Sequence, residues 1–296
     1  MSDFLVPDQT DRTWLVTGAN SGLGLETSRM LAAAGAHVVM TARDAAKGRA
    51  AAEEVRGGLG GAGRGSVEVA ALDLADLASV RALAEGWERP LHGVVANAGI
   101  MMVPQGRTVD GFELQLGTNH LGHFALVNLL LPHVADRVVS VSSALHKGPP
   151  LDFDDLFLER SYSPGRAYQQ SKLANLLFTA ELQRRLGASG SAVRATAAHP
   201  GYAATNLQSH HAVPLMNTLM AVGNRVVATS AEEGARPSVM AATYDLVGGT
   251  YVGPSRLGGL RGAPAPASRS LEAADDGAAR RLWDVSEELT GVGWAL

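Results

Sequence analysis

Cysteine is absent from the 296-residue sequence, and charged residues make up only 18% of it. The absence of cysteine excludes disulfides, thiolate metal sites and cysteine nucleophiles. A net charge of −4 leaves no basic footprint for nucleic acid, so no nucleic-acid partner is expected. No apolar run is long enough to span a membrane, and the start of the sequence does not read as a signal peptide. We therefore expect a cytoplasmic protein without membrane attachment.

Apolar residues make up 46% of the sequence, and short β-rich runs alternate with longer helical patterns. This alternation predicts an α/β fold with a parallel sheet covered on both faces. The predicted strands cover residues 13–17, 36–41, 66–72, 91–99, 136–143, 191–200 and 249–253. The predicted helices cover residues 24–35, 44–55, 76–87, 110–131, 166–186, 231–243 and 275–292. Residues 253–270 are rich in proline and glycine and are predicted as a loop or arm.

The stretch "TGANSGLG" at residues 17–24 lies between the first predicted strand and the first predicted helix. Gly18 permits a tight turn, and Gly22 lets the backbone approach a pyrophosphate. The helix N-terminus then offers free N–H groups to an anion. The alternative is a plain strand-to-helix turn. We expect a dinucleotide phosphate to bind here, at Gly18, Asn20, Ser21, Gly22, Leu23 and Gly24.

This glycine spacing resembles that of the short-chain dehydrogenase/reductase family, T-G-x-x-x-G-x-G. Further family motifs follow in the same order, namely N-A-G at 97–99, Asn119, Ser143, Y-x-x-x-K at 168–172 and P-G-x-x-x-T at 200–205. "NHLGHF" and "YQQSKLANLLFTAEL" look like its retinol-dehydrogenase-like and protochlorophyllide-reductase-like branch. The resemblance implies a single-domain, doubly wound Rossmann fold, here with a parallel seven-stranded sheet. Its parts are a cofactor half at about 12–145, a catalytic-helix and substrate-lid half at about 146–260, and a C-terminal arm and helix at about 261–296.

The second predicted strand ends at Ala42, where a carboxylate would select the free ribose of NAD(H). Arg43 follows, and its guanidinium can bind a 2′-phosphate, with Lys47 as a second contact. Asp44 is predicted as the N-cap of the next helix rather than as a ribose ligand. These residues favour NADP(H) over NAD(H). The alternative is that both cations are simply solvated.

The resemblance assigns cofactor contacts to three further strand ends. Asp73 would contact the adenine amino group together with the backbone that follows at Leu74, unless Asp73 is a helix N-cap. Asn97, Ala98 and Gly99 would shape the central wall of the cofactor site. Pro200 and Gly201 would form a turn, and Thr205 would bind the nicotinamide carboxamide.

"SYSPGRAYQQSK" at residues 161–172 contains two tyrosines and a lysine. Tyr168 and Lys172 share one face of a helix that begins near Pro164–Gly165, so the ammonium can favour the phenolate. Tyr168 could then exchange a proton with a carbonyl or alcohol oxygen, while Lys172 would also hold the nicotinamide ribose. Tyr162 lies before the Pro-Gly and is assigned to a loop or to the wall of the substrate pocket.

Ser142 and Ser143 lie on opposite faces of the fifth strand, so only one can orient the substrate carbonyl. The resemblance selects Ser143, and it gives Asn119 the role of holding a water in the proton relay. The histidines at 120 and 123 are interpreted as packing or surface residues, and no metal site is predicted.

The spacing between Ser143 and Tyr168 is longer than the commonest spacing in the resembling family, which implies an insertion at roughly 146–163, beside the predicted active site. The resemblance also implies that segment 203–229 forms a lid over the substrate, apolar here, and the alternative is a helix that packs its apolar face on the sheet. We expect a small, apolar or aromatic ketone, aldehyde or alcohol as substrate. Homodimer, homotetramer and monomer all stay open. Two other functions stay open: a carbon–carbon double-bond reductase, which the missing cysteine disfavours, and a non-catalytic NADP(H) sensor, which the intact Tyr168 and Lys172 disfavour.

Overall fold

The computed structural model describes residues 4–59, 65–201 and 230–296, and these form one sheet flanked by helices. The strands are β1 (Thr13–Val16), β2 (His37–Ala42), β3 (Ser66–Ala71), β4 (Leu91–Ala96), β5 (Val134–Val141), β6 (Arg194–Ala198), β7 (Tyr251–Arg256) and β8 (Arg261–Pro266). Their order in the sheet is β3-β2-β1-β4-β5-β6-β7-β8. The order reverses between β1 and β4, which is where such sheets bind ligands. The predicted doubly wound α/β fold is confirmed.

The helices cover both faces of this sheet. They are α1 (Gly22–Ala33), α2 (Ala45–Gly58), α3 (Leu77–Glu85), α4 (Leu114–Leu116), α5 (Gly122–Leu130), α6 (Pro164–Ala188), α7 (Ala231–Thr243) and α8 (Asp276–Thr290). The longest of them, α6, has Pro at its first turn, where the missing N–H costs no hydrogen bond. Asp44, Asp76 and Asp275 cap α2, α3 and α8 with side-chain hydrogen bonds, and α8 ends at Gly291 with φ +62°.

Two features differ from the sequence prediction. The sheet has eight strands instead of seven, because part of the predicted arm pairs antiparallel with β7 as strand β8. The prolines of this segment favoured a loop in the prediction, but an edge strand tolerates residues without an N–H. The predicted helix at 110–131 begins only at Leu114, and it contains a π-helical turn at Gly117–Leu121 between α4 and α5. Helix periodicity does not reveal such a turn, although π-turns occur often at functional sites.

The core has a layer on each face of the sheet. In β5, Val138 packs into one layer and Val139 into the other, and both are fully buried. This explains why the strands read as continuous apolar runs. Helix α8 closes one layer through Trp283, whose ring lies 4.9 Å from that of Phe124. Within the described residues, no helix combines the length and apolar character needed to cross a membrane.

Candidate active site

A cavity of about 760 Å³ lies at the carboxyl ends of β1 to β4. Most residues predicted to bind the cofactor line it, namely Gly18, Asn20, Ser21, Gly22, Leu23, Gly24, Arg43, Lys47, Asp73, Leu74, Asn97, Ala98 and Gly99. Residues that the prediction missed also line it, including Thr41, Ala42, Glu54, Ile100, Met101, Val103 and Thr118. The structure therefore brings four separate sequence motifs to one opening.

The glycine loop is shaped for close approach of backbone to backbone. Gly18 has φ +63°, and a Cβ there would lie 2.9 Å from Ala98. A Cβ on Gly24 would lie 2.6 Å from Asn97 Nδ2 and against the Gly18 carbonyl oxygen. Ser21, at the N-cap of α1, makes no side-chain hydrogen bond that would use the helix N–H groups, and no acidic residue occupies the first turn. A phosphate fits this helix end because the N–H groups and the helix dipole both favour an anion.

Two cationic side chains and one carboxylate follow the end of β2, and the carboxylate is hydrogen-bonded to the start of α2. Arg43 and Lys47 are exposed at the cavity. Asp44 accepts hydrogen bonds from the N–H groups of Ala46 and Lys47, and chiefly the Lys47 bond lowers the pKa of this carboxyl. The expected N-cap role of Asp44 is therefore observed. Glu54 of α2 also borders the cavity, and its carboxylate pairs with Arg29 at 2.6 Å.

Asp73 lies at the cavity wall and does not cap a helix. Its carboxylate accepts from the Ala75 N–H at 3.0 Å, while Asp76 is the N-cap of α3. The backbone N–H of Asp73 donates to Ser79 Oγ. The N-cap alternative for Asp73 is thus wrong, and the side chain borders the cavity beside Leu74.

Tyr168 and Lys172 lie one turn apart on α6, and both are buried, with 7% and 4% exposure. The Lys172 Nζ is 5.7 Å from the centre of the Tyr168 ring and donates to the Val141 carbonyl at 3.1 Å. Burial lowers the pKa of Lys172 to about 8. Burial raises the pKa of Tyr168, and the Ser143 hydroxyl acts in the opposite direction. The phenol is therefore protonated at neutral pH unless another positive charge adds to that of Lys172.

The two adjacent serines have different surroundings. The Ser142 hydroxyl is buried and donates to the Lys172 carbonyl at 2.7 Å, so it helps to hold α6 against β5. Ser143 is half-exposed, and its Oγ accepts from the Leu145 N–H. Of the pair, Ser143 is the one that interacts with Tyr168.

Asn119 lies in the π-helical turn and is fully buried. Its side chain accepts from the Ile100 N–H and donates to the Ile100 carbonyl and to Ser171 Oγ. A Cβ on Gly99 would lie 3.1 Å from Asn119 Oδ1 and 3.3 Å from Lys172 Nζ. Gly99 therefore joins the dinucleotide cavity to the predicted catalytic groups.

The remaining predicted residues lie apart from the cavity or outside the described residues. Gly201 has φ +71°, and a Cβ there would lie 2.5 Å from the Leu260 carbonyl oxygen, which explains the glycine. Neither Pro200 nor Gly201 borders the cavity. Thr205 and the predicted lid at 203–229 lie outside the described residues. Among the residues that the structure describes, no group of three metal-ligating side chains occurs.

Tyr162 belongs to the insertion and is held outside the Tyr168–Lys172 pair. Its hydroxyl donates to the Val103 carbonyl at 2.9 Å and accepts from Gln115 Nε2 at 3.1 Å. Val103 itself borders the dinucleotide cavity. The insertion is thus fastened to the cavity wall through Tyr162.

Two polar residues that the prediction did not assign to the site, Thr17 and His123, lie between the cavity and Asn119. Thr17 is fully buried and His123 is 3% exposed, and the two side chains are 2.8 Å apart. A signal was present in the sequence, because His123 follows Asn119 by one helical turn and shares its helix face.

The topological switch point, the glycine loop and the buried tyrosine–lysine pair together define a Rossmann-fold oxidoreductase. The short chain dehydrogenase family matches residues 12–213, and the chain belongs to that family. It is 42% identical to human retinol dehydrogenase 12 over 290 residues, covering 95% of this chain and 86% of that protein. Mouse retinol dehydrogenase 14 is 41% identical, with the same two coverages. These findings confirm the family resemblance and its retinol-dehydrogenase-like branch.

Solved structures agree with this assignment. An uncharacterized protein from Mycobacterium Paratuberculosis is 48% identical, with a TM-score of 0.83 over 98% of this chain and 97% of its own. A protein from Beutenbergia cavernae, described as an NAD(P) dependent gluconate 5-dehydrogenase with bound NADP at low occupancy, is 26% identical. Its TM-score is 0.61 over 82% of this chain and 95% of its own.

Proposed function

We propose that this chain is an NADP(H)-dependent alcohol dehydrogenase or carbonyl reductase with Tyr168 as general acid and base. The observation that carries the proposal is the contact at Gly99, where the dinucleotide cavity meets Lys172 and Asn119. This contact supports the proposal because a dinucleotide bound in the cavity would then lie next to the residues proposed to move and tune the proton.

The residues divide the chemistry among them. The bound nicotinamide would supply or accept the hydride. Tyr168 gives a proton to the carbonyl oxygen during reduction and takes it from the alcohol during oxidation. Ser143 donates a hydrogen bond to the same oxygen and stabilises the negative charge that develops on it. Lys172 favours the phenolate and holds the ribose, while Asn119 would hold the water that continues the proton relay.

Arg43 and Lys47 support the preference for NADP(H). Both are exposed at the cavity, whereas the carboxylate of Asp44 is bonded to its own helix and Ala42 offers none. A guanidinium can bind a 2′-phosphate through two hydrogen bonds. Arg43→Asp should therefore move the preference toward NADH. If the wild type already binds NADH more tightly than NADPH, the preference proposed here is wrong.

The substrate is proposed to be an apolar aldehyde, ketone or alcohol. The names of the relatives at about 40% identity make retinol and its aldehyde, retinal, the first probes. A panel of aliphatic and aromatic carbonyls should accompany them, because the predicted lid at 203–229 lies outside the described residues.

The test is to measure turnover of this panel with both cofactors by monitoring the absorbance of NADPH or NADH. Tyr168→Phe should lower kcat at least about a hundredfold while NADPH still binds, since general acid catalysis contributes that much or more. Tyr162→Phe is the matched control, because it also removes a phenol and lies outside the Tyr168–Lys172 pair. Undiminished turnover by Tyr168→Phe would overturn the mechanism. Tight NADPH binding without turnover of any substrate would favour the sensor function instead.

A further inference from the structure

His120 and His123 both flank Asn119, and both are buried. From the sequence alone, they are expected to be packing or surface residues. Only His123 makes contacts toward the cofactor cavity: its Nε2 is 2.8 Å from Thr17 Oγ1 and its Nδ1 is 3.0 Å from the Asn119 carbonyl oxygen. His120 points elsewhere, with its Nε2 2.9 Å from Ser286 Oγ on α8.

The proton positions in this network follow from counting donors and acceptors. The Thr17 hydroxyl accepts from the N–H groups of Asn97 and Ala98, each at 2.9 Å, which uses both of its lone pairs. Its own hydrogen must then be donated, and His123 Nε2 is much closer than the alternative, the Val95 carbonyl at 3.5 Å. His123 Nε2 is therefore the acceptor in this bond.

The other ring nitrogen fits the same assignment. The Asn119 carbonyl can only accept, so His123 Nδ1 carries the hydrogen. The neutral imidazole thus receives one hydrogen bond and gives one. Burial lowers the pKa of His123 to about 4, and the charge of Lys172 acts in the same direction, so this neutral form persists at physiological pH.

The consequence is a buried connection between two parts of the site, in addition to the bonds between the Asn119 side chain and Ile100. Thr17 precedes Gly18 of the glycine loop and holds the Asn97–Ala98 wall through its hydroxyl. The Asn119 backbone belongs to the π-helical turn that presents the Asn119 side chain to Ile100. We propose that His123 is a positioning residue that sets the cofactor wall against the Asn119 turn through these two hydrogen bonds. This inference rests on the proposed cofactor site.

Two substitutions at His123 separate its two bonds. His123→Gln places an amide oxygen near the Nε2 position and keeps an acceptor for Thr17. His123→Asn places an amide N–H near the Nδ1 position and keeps a donor for the Asn119 carbonyl. Because Thr17 holds the cavity wall, His123→Asn should raise the Kd for NADPH roughly three- to tenfold, whereas His123→Gln should keep most of the wild-type affinity. His120→Gln is the matched control, since it changes an equally buried histidine beside Asn119 that has no bond to Thr17.

The measurement is NADPH titration by fluorescence, with thermal melting of each variant to report its folding. A rise in Kd for His123→Asn that exceeds those of His123→Gln and His120→Gln supports the proposal. Equal Kd values for wild type and His123→Asn overturn it, as do equal rises in all three variants, which indicate a packing role alone.

Two further outcomes are distinguished. If His123→Asn does not fold, Thr17→Val and Thr17→Ser carry the test, each alone and combined with His123→Leu, which removes the acceptor for Thr17. His123→Leu should raise the Kd in the Thr17→Ser background, which keeps the hydroxyl, and not in the Thr17→Val background. Identical changes in both backgrounds overturn the proposal. If the wild type binds neither NADPH nor NADH, the proposed function fails and this inference fails with it.

Discussion

Lys172 offers the most direct test of the chemistry, through its charge. Its Nζ lies 5.7 Å from the centre of the Tyr168 ring. If that distance is taken as the separation of the two charges, at an effective dielectric constant of about 20, the lysine charge would stabilise the phenolate by roughly 3 kcal/mol. Since about 1.4 kcal/mol is a factor of ten, Lys172→Met should reduce the phenolate population at neutral pH roughly a hundredfold.

The direction of the effect with pH follows from the two pKa values. Lys172 is a cation below its pKa of about 8, so its influence on Tyr168 is present at neutral pH. Without it, burial alone raises the pKa of Tyr168. In Lys172→Met, kcat for alcohol oxidation should therefore fall at pH 7 and recover as the pH rises, with the profile displaced to the alkaline side.

The assay is alcohol oxidation at saturating NADP⁺ from pH 6 to 10, with a substrate identified by the panel. At saturating NADP⁺, weaker cofactor binding does not lower kcat, so the pH profile reports the effect of the Lys172 charge on Tyr168. The loss of the Lys172 contact with the ribose is measured separately as the Kd for NADP⁺. Lys172→Arg keeps the charge and should keep the wild-type position of the profile even if its rate is lower. An unmoved profile in Lys172→Met would refute the assignment of Lys172 as the group that tunes Tyr168.

Three other predictions concern binding and stability. Gly24→Ala should abolish NADPH binding in titration because its Cβ would meet Asn97 Nδ2 and the Gly18 backbone, whereas Gly57→Ala, in open space, should bind as the wild type does. Trp283→Ala should cost about 3 to 5 kcal/mol in urea unfolding, since the fully buried ring packs on Phe124 and Phe178, and a loss below about 1 kcal/mol would contradict this packing. Lys172 has a pKa of about 8 in the folded protein and an ordinary value of 10.5, so between these pH values the unfolded chain binds more protons than the folded chain. The free energy of unfolding of the wild type should therefore rise with pH from about 8 to 10.5 relative to that of Lys172→Met. If the melting temperatures of the two proteins change in parallel from pH 7.5 to 10.5, that linkage is contradicted.

The parts of the site that sequence could predict are those set by local geometry. The glycine loop requires particular φ values and close backbone approach, and only glycine meets both at Gly18. The Tyr168–Lys172 pair follows from helix periodicity after Pro164. Asp44 as an N-cap follows from its position before a helical pattern.

The parts that could not be predicted depend on groups far apart in the chain. The bond between Thr17 and His123 joins residues 106 positions apart. Whether Asp73 capped a helix depended on Asp76, which competed for the same role three residues later. The eighth strand required β7 as a partner, because its own proline-rich composition indicates a loop.

The same distinction applies to the reactivity of the site. Sequence motifs identify the tyrosine and the lysine, but their pKa values are shifted chiefly by burial, which the surrounding elements create. One of those elements is α8, whose Trp283 packs on Phe124 of α5 and Phe178 of α6. Phe124 neighbours His123, and Phe178 lies on the helix that carries Tyr168 and Lys172. The C-terminal helix, which contributes no group to the chemistry, thereby supports both the catalytic helix and the Asn119 turn from behind. Substitutions in α8 should on this reasoning change turnover and NADPH affinity together, whereas Arg43 substitutions should lower the affinity for NADPH relative to NADH without changing kcat at saturating cofactor.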